Sequence, residues 1–181
     1  MKTFVGLLRG INVGGHNKIP MGELRTLCAS LGYGDVRSYI QSGNLIFAAD
    51  APAAQLEAEL ERAIQRRFDL KIPVIVRTAT DWSRFLGENP FPDASESEPN
   101  LVMLGLSKSA PRTGVAEELT ERGDRGERAI LVGDALWIHF AGGSGRSKIT
   151  PSLLDRLVGS PVTTRNCRTV AKLGELAGDS A

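Results

Sequence analysis

Between Phe4 and Val76 the apolar spacing changes period in the order strand, helix, strand, strand, helix, strand, and few folds accept that order. Phe4 to Leu8 is a continuous apolar run of strand length. Pro20 suits the first turn of a helix, where its missing N–H costs nothing; Met21, Leu24, Leu27, Cys28 and Leu31 follow at helical spacing, and Gly32 is a natural stop. Val36–Gln41 and Leu45–Ala48 read as strands joined through Ser42-Gly43-Asn44, a turn because Gly and Asn tolerate positive φ. Asp50 is the expected N-cap of a helix in which Leu56, Leu60, Ile64 and Phe68 recur every four residues. Ile72–Val76, rich in β-branched residues, is the fourth strand. A split βαβ repeat of this kind is the ferredoxin-like plait, one antiparallel sheet with both helices on one face.

A second, fainter set follows. Asp81–Leu86 reads as a short helix, and the stretch 89–100, with Pro90, Pro92, Pro99, Asp93, Glu96 and Glu98, as an exposed acidic connector. Leu101–Leu106 is a strand and Thr113–Arg122 a helix. Ala129–Val132 and Leu136–Phe140 form a hairpin turned near Gly133-Asp134, and Pro151–Val158 and Asn166–Ala177 are helices. The expected fold class is therefore α+β, with two ferredoxin-like (alpha-beta plait) subdomains: one over residues 1–78, and a second, partial one over 79–181 with extra C-terminal helices. The last few residues are expected to fray.

Composition narrows the function. The 22 Lys and Arg against 21 Asp and Glu give a net charge of +1, which argues against a uniformly basic polyanion binder. With 41% hydrophobic residues the chain has the means to build a core. The N-terminal apolar run ends at Arg9, short of a secretory core, and no run approaches the roughly 20 residues of a membrane span, so a cytoplasmic protein with no membrane partner is expected. Cys28 and Cys167 are too far apart for a zinc site or a redox pair, and no metal or cofactor is implied. Cys28 lies on the apolar helical stripe and reads as core.

Two segments share a strand, a Gly-rich loop, then Lys-Ile and a Pro-started helix. The first runs from Arg9 through Asn12, Gly14, Gly15, His16, Asn17 and Lys18 to Pro20. The second runs from Ala141 through Gly143, Gly145, Arg146, Ser147 and Lys148 to Pro151. Glycines let backbone N–H groups approach an anion, and a helix start adds free donors. Neither loop has Walker A or dinucleotide spacing, and tight turns with solvated lysines explain them equally well. Gln41, Ser42 and Asn44 form a further polar cluster. Arg165, Arg168, Thr169 and Lys172 are read as one face of the last helix, with Arg165-Asn166 at its start, where a cation stands against the helix dipole. Acid–base candidates are thin: His16, a lysine or Tyr39, with His139 read as packed or surface, and with Ser42 and Ser147 lacking an identifiable base.

Four motifs, in order along the chain, resemble the mainly bacterial family called domain of unknown function 1697: Leu7-Leu8-Arg9-Gly10-Ile11-Asn12-Val13-Gly14-Gly15 with Lys18 and Pro20; Tyr39-Ile40-Gln41-Ser42-Gly43-Asn44; Gly145-Arg146-Ser147-Lys148; and Arg165-Asn166 with Thr169 and Lys172-Leu173. The resemblance implies two plait-like α+β subdomains and supplies no reaction. Similar proteins usually carry Trp after the Arg-Asn pair, where this chain has Cys167. The residues together lead to an expected binder of a phosphate-bearing or other anionic ligand, a nucleotide or short nucleic-acid segment, in a cleft between two lobes. The alternatives are a metal-independent enzyme acting on a phosphorylated small molecule and a protein-interaction module, as a monomer or a homodimer. Nucleic acid is the weaker partner, since the aromatics Phe4, Tyr39 and Phe47 read as core rather than as an RNA platform.

Overall fold

The computed structural model describes residues 1–178, so the expectation of a frayed end, which falls on 179–181, lies outside the described residues. The chain divides into two compact units. The first holds residues 1–84 and the segment from Leu173; the second holds Phe85–Lys172.

The first unit contains β1 (Lys2–Leu8), α1 (Met21–Ser30), β2 (Gly34–Tyr39), β3 (Asn44–Ala49), α2 (Ala53–Phe68) and β4 (Val74–Thr78). The sheet is antiparallel, in the order β2-β3-β1-β4. Alternation along the strands puts Phe4, Leu8, Leu45, Phe47, Val74 and Val76 against Met21, Leu24 and Cys28 of α1 and Leu56, Leu60 and Ile64 of α2. Each such side chain contributes roughly 1.5–3 kcal/mol on burial. Val5, Leu7, Ile46 and Ile75, on the other face, are buried as well, which is why β1 reads as an unbroken apolar run.

Several boundaries move from their sequence positions for local reasons. Strand β2 stops at Tyr39, short of the expected Gln41, because Ile40 takes φ +51. Strand β4 begins at Val74 rather than Ile72, since Pro73 has no N–H to give a ladder. Asp50 does not cap α2: the chain enters through Pro52, with no side-chain cap. The outer edge of β4 is covered instead. The N–H groups of Val74, Val76 and Thr78 donate to carboxylates of Glu61 (2.9 Å), Glu57 (2.9 Å) and Asp81 (3.2 Å). An edge strand so occupied cannot template another strand.

The second unit repeats the plan. It holds α4 (Pro92–Ser97), β5 (Val102–Ser107), α5 (Val115–Arg122), β6 (Arg128–Val132), β7 (Ala135–His139), α6 (Pro151–Val158) and β8 (Val162–Asn166), after α3 (Ala79–Gly87), which crosses from one unit to the other. Sheet order β6-β7-β5-β8 matches the first sheet position by position. The second plait is therefore complete rather than partial. Its fourth strand escapes sequence reading because Thr163 and Thr164 stand where apolar residues mark other strands; Thr163 is nonetheless buried. The expected connector 89–100 is not all exposed: Phe91 is buried, and the Asn89 side chain accepts from Phe91 N–H (2.9 Å) and donates to Ser95 Oγ (2.8 Å). Helix α7 (Cys167–Gly178) starts one residue later than expected, and Asn166 Oδ1 caps it by accepting from Thr169 N–H (2.9 Å). Cys167 is buried against Asn89, with Nδ2 to Sγ 3.7 Å, so this position packs in the interior. No described helix is long and apolar enough to cross a membrane.

Candidate functional site

In the first unit the Gly-rich segment is a small hairpin. Val13 and His16 form an isolated bridge with His16 N–H donating to Val13 O (3.0 Å), and Gly14 and Gly15 fill the two turn positions at φ +58 and +80. A two-residue turn with both φ values positive is the reason for Gly-Gly here. Asn12 braces the hairpin. Its Nδ2 donates to Ile19 O (3.0 Å) and Gln41 O (2.8 Å), and its Oδ1 accepts from Ile19 N–H (2.9 Å). Asn17 Nδ2 donates to Gly10 O (3.0 Å). The Gln41–Asn44 segment is equally committed: Asn44 is fully buried and donates to Tyr39 O and Ser42 Oγ, both at 3.0 Å. Arg9 is half-buried, while Lys18, His16 and the Gln41 side chain are exposed. The amides Asn12, Asn17 and Asn44 thus hold the loops together, and the exposed residues stand on that frame.

In the second unit the Gly-rich segment turns through Gly143 (φ +82) and a short 3-10 turn, Ser144–Arg146, with Gly145 and Arg146 exposed. It closes on the 123–128 loop around Glu127, which is buried. Ser147 Oγ donates to Glu127 Oε1 (2.5 Å) and accepts from Ile149 N–H (3.0 Å), while Glu127 Oε2 accepts from Arg125 N–H (2.7 Å). Burial pushes the Glu127 carboxyl up, but the Ser147 hydroxyl and the Arg125 and Glu127 N–H groups outweigh it and hold the group below the ordinary carboxylate range. Ser147 therefore does have a carboxylate partner, which no sequence spacing announced: Glu127 is one of two acids, with Asp124, in a charged loop. A carboxylate held below its usual range is a weak base, so this pair organises the loop.

The loop delivers Lys148 and Thr150 to a cavity of about 350 Å³, completed by Arg122 from the end of α5 and by Ser152, Leu153 and Arg156 of α6. Thr150 caps α6 through Oγ1, accepting from Leu153 N–H (3.2 Å), and Pro151 opens the helix where the sequence places its start. Buried Ile149 anchors this entry, as Ile19 anchors the entry to α1. Lys148 Nζ lies 3.0 Å from Asp124, and Arg122 Nη2 lies 2.7 Å from Glu118, whose carboxyl is held down by hydrogen bonds from Arg122 and Arg112. Arg156 has no ion-pair or hydrogen-bond partner among the described residues.

Of the second-unit residues singled out by sequence, only Lys148 lines this cavity. Arg165 is not at a helix start: it sits in β8, and burial lowers its guanidinium to about 10, so the dipole argument does not apply to it. Its Nη1 donates to Thr164 O (2.8 Å), the counterpart of Arg77 Nη1 donating to Val76 O (2.9 Å) at the end of β4. Asn166 is a cap, Thr169 is buried, and Lys172 is half-buried. Of Arg165, Arg168, Thr169 and Lys172 only Arg168 is exposed, so they do not form a single exposed basic face. Thr150, Ser152 and Arg156 follow Lys148 along the chain, and Arg122 is brought to them from the end of α5. Another cavity, of about 400 Å³, opens in the first unit beside Lys2, Phe4, Thr78 and the 49–53 turn, and holds none of the sequence candidates. No cluster of three His, Cys, Asp or Glu residues suited to a metal occurs among the described residues.

The profile of a family described as "Protein of unknown function (DUF1697)" matches residues 1–137. The chain belongs to the DUF1697 family. The match takes in residues 1–84 of the first unit and the second as far as Trp137 in β7. Among solved structures, this DUF1697 protein is similar to the conserved bacterial protein SP0830 from Streptococcus pneumoniae, with a TM-score of 0.69 and 23% sequence identity over 97% of this chain and 98% of that one. At that identity the likeness concerns the fold. No curated protein matches the sequence.

Proposed function

We propose that this DUF1697 protein binds a phosphate-bearing small molecule in the cavity at the start of α6. The observation that carries the reading is the lining: Arg122, Lys148 and Arg156 with the hydroxyl residues Thr150 and Ser152, and no carboxylate or imidazole among the lining residues. Such a wall holds charge and offers no acid–base pair. The first turn of α6 adds partial positive charge on the same side. Arg156 is the cation most available to a ligand, whereas Lys148 and Arg122 exchange an internal carboxylate for the incoming anion. Leu153 supplies an apolar surface for the body of the ligand.

The test is a thermal-shift panel of pyrophosphate, nucleotides and sugar phosphates on the full chain. A ligand at about 100 times its Kd stabilises by roughly 2.7 kcal/mol. Arg156→Glu abolishes the shift, and Arg62→Glu, an exposed α2 cation far in sequence from the cavity, leaves it in place. No shift with any panel member, or an equal shift in Arg156→Glu, overturns the reading.

A further inference from the structure

Among the described residues, two of the three large hydrophobic side chains exposed at the surface, Val13 (63%) and Ile40 (50%), stand on loops that Asn12 ties together through its bond to Gln41 O. Ile40 is unusual twice over. Its φ of +51 lies in the left-handed region, which a β-branched side chain adopts only under strain, and its apolar surface is left in water. Asn or Gly at this position relieves both costs. Strained residues held by a rigid frame cluster at active sites, ligand clamps and switch regions. The frame is rigid here: Asn12, Asn17 and Asn44 satisfy the loop carbonyls, and Gly43 is packed so closely that a Cβ there meets Leu8 and Ile11 at 2.8–2.9 Å.

Charge completes the description. The stretches 9–20 and 38–44 carry Arg9 and Lys18 and contain no Asp or Glu. Lys18 is exposed, without an ion-pair partner among the described residues. Lys18 apart, the exposed side chains are aliphatic or amide, with His16 the one exposed aromatic ring, whereas nucleobases are bound by stacking on aromatic rings or guanidinium planes. The surface suits a polypeptide better than a nucleic acid.

We infer that the hairpin 12–17 and Ile40 form a preorganised docking surface for an acidic protein segment bearing an apolar anchor side chain. The anchor packs between Val13 and Ile40, and the acidic flanks face Lys18. Because the frame is already ordered, little is lost in ordering it on association.

A random peptide library is selected on the immobilised full chain. Enrichment of peptides with one large apolar residue flanked by Asp or Glu is the expected result. Their affinity, read by fluorescence anisotropy, falls by about tenfold or more with Ile40→Asn and with Lys18→Glu. Ile40→Asn remains folded, and its urea midpoint rises, so loss of binding is not loss of structure. Arg156→Glu leaves the same peptides bound, which separates this surface from the cavity on α6. Recovery of no acidic–apolar peptides, or equal binding by Ile40→Asn, overturns the proposal. Ile40-dependent binding of an oligouridylate in place of peptides overturns it equally.

Discussion

Gly15 and Gly43 have the same backbone angle, φ +80, and opposite surroundings. A Cβ on Gly15 meets nothing within 4 Å, while one on Gly43 meets Leu8 Cβ at 2.8 Å and Ile11 Cδ1 and Cγ1 at 2.9 Å. Alanine at either position incurs the left-handed backbone cost, about 1–2 kcal/mol. At Gly43 it also overpacks against two fully buried side chains, adding about 1–3 kcal/mol. The expected losses are therefore about 1–2 kcal/mol for Gly15→Ala and about 2–5 kcal/mol for Gly43→Ala. The chain has two tryptophans, Trp82 in the first unit and Trp137 in the second. In a Trp137→Phe background, urea unfolding followed by Trp82 fluorescence reports on the unit that holds both glycines. With an m-value near 2 kcal/mol/M, a difference of about 2 kcal/mol separates the two midpoints by about 1 M. Equal midpoints for the two variants refute the argument that hairpin and loop are packed against one another at Gly43.

Other outcomes follow from single contacts. Glu127 has its folded-state carboxyl held below the ordinary range, so its contribution is complete above the unfolded carboxylate value and disappears as pH falls through the folded one. Glu127→Gln should flatten the acid limb of the stability–pH curve below about pH 4.5, measured by urea midpoints across pH. Glu57→Ala leaves the Val76 N–H and the Arg77 guanidinium without this carboxylate, with an expected loss of about 1–3 kcal/mol and increased light scattering from an uncovered β4 edge. Cys28 is buried, and burial pushes its thiol up to about 12, so it should resist thiol reagents at neutral pH until urea unfolds the first unit. Trp137 Nε1 is buried with no hydrogen-bond partner among the described residues, so Trp137→Phe should cost less in urea than the roughly 3 kcal/mol or more expected of a large core truncation.

Local chemistry, read residue by residue, determined a good deal about this chain. The period changes between Phe4 and Val76 are enough for the first plait, because each strand and helix there has one strongly apolar side, and Leu56, Leu60 and Ile64 fall in the core as their spacing requires. The turn at Gly43 and the helix start at Pro151 were legible for the same reason: backbone angles depend on neighbours in sequence. Tertiary structure decided the rest. Thr163 is buried because β8 pairs with β5 at Leu106, a register invisible in a segment with a single clearly apolar residue. Asn12 became a brace because Gln41, distant in sequence, presents its carbonyl 2.8 Å away. Glu127 gained its role from Ser147, and the basic cavity was gathered from α5, a loop and α6. Sequence periodicity registers which way a side chain faces, but polar side chains meet through the packing of distant segments, and their partners emerge only when those segments fold together.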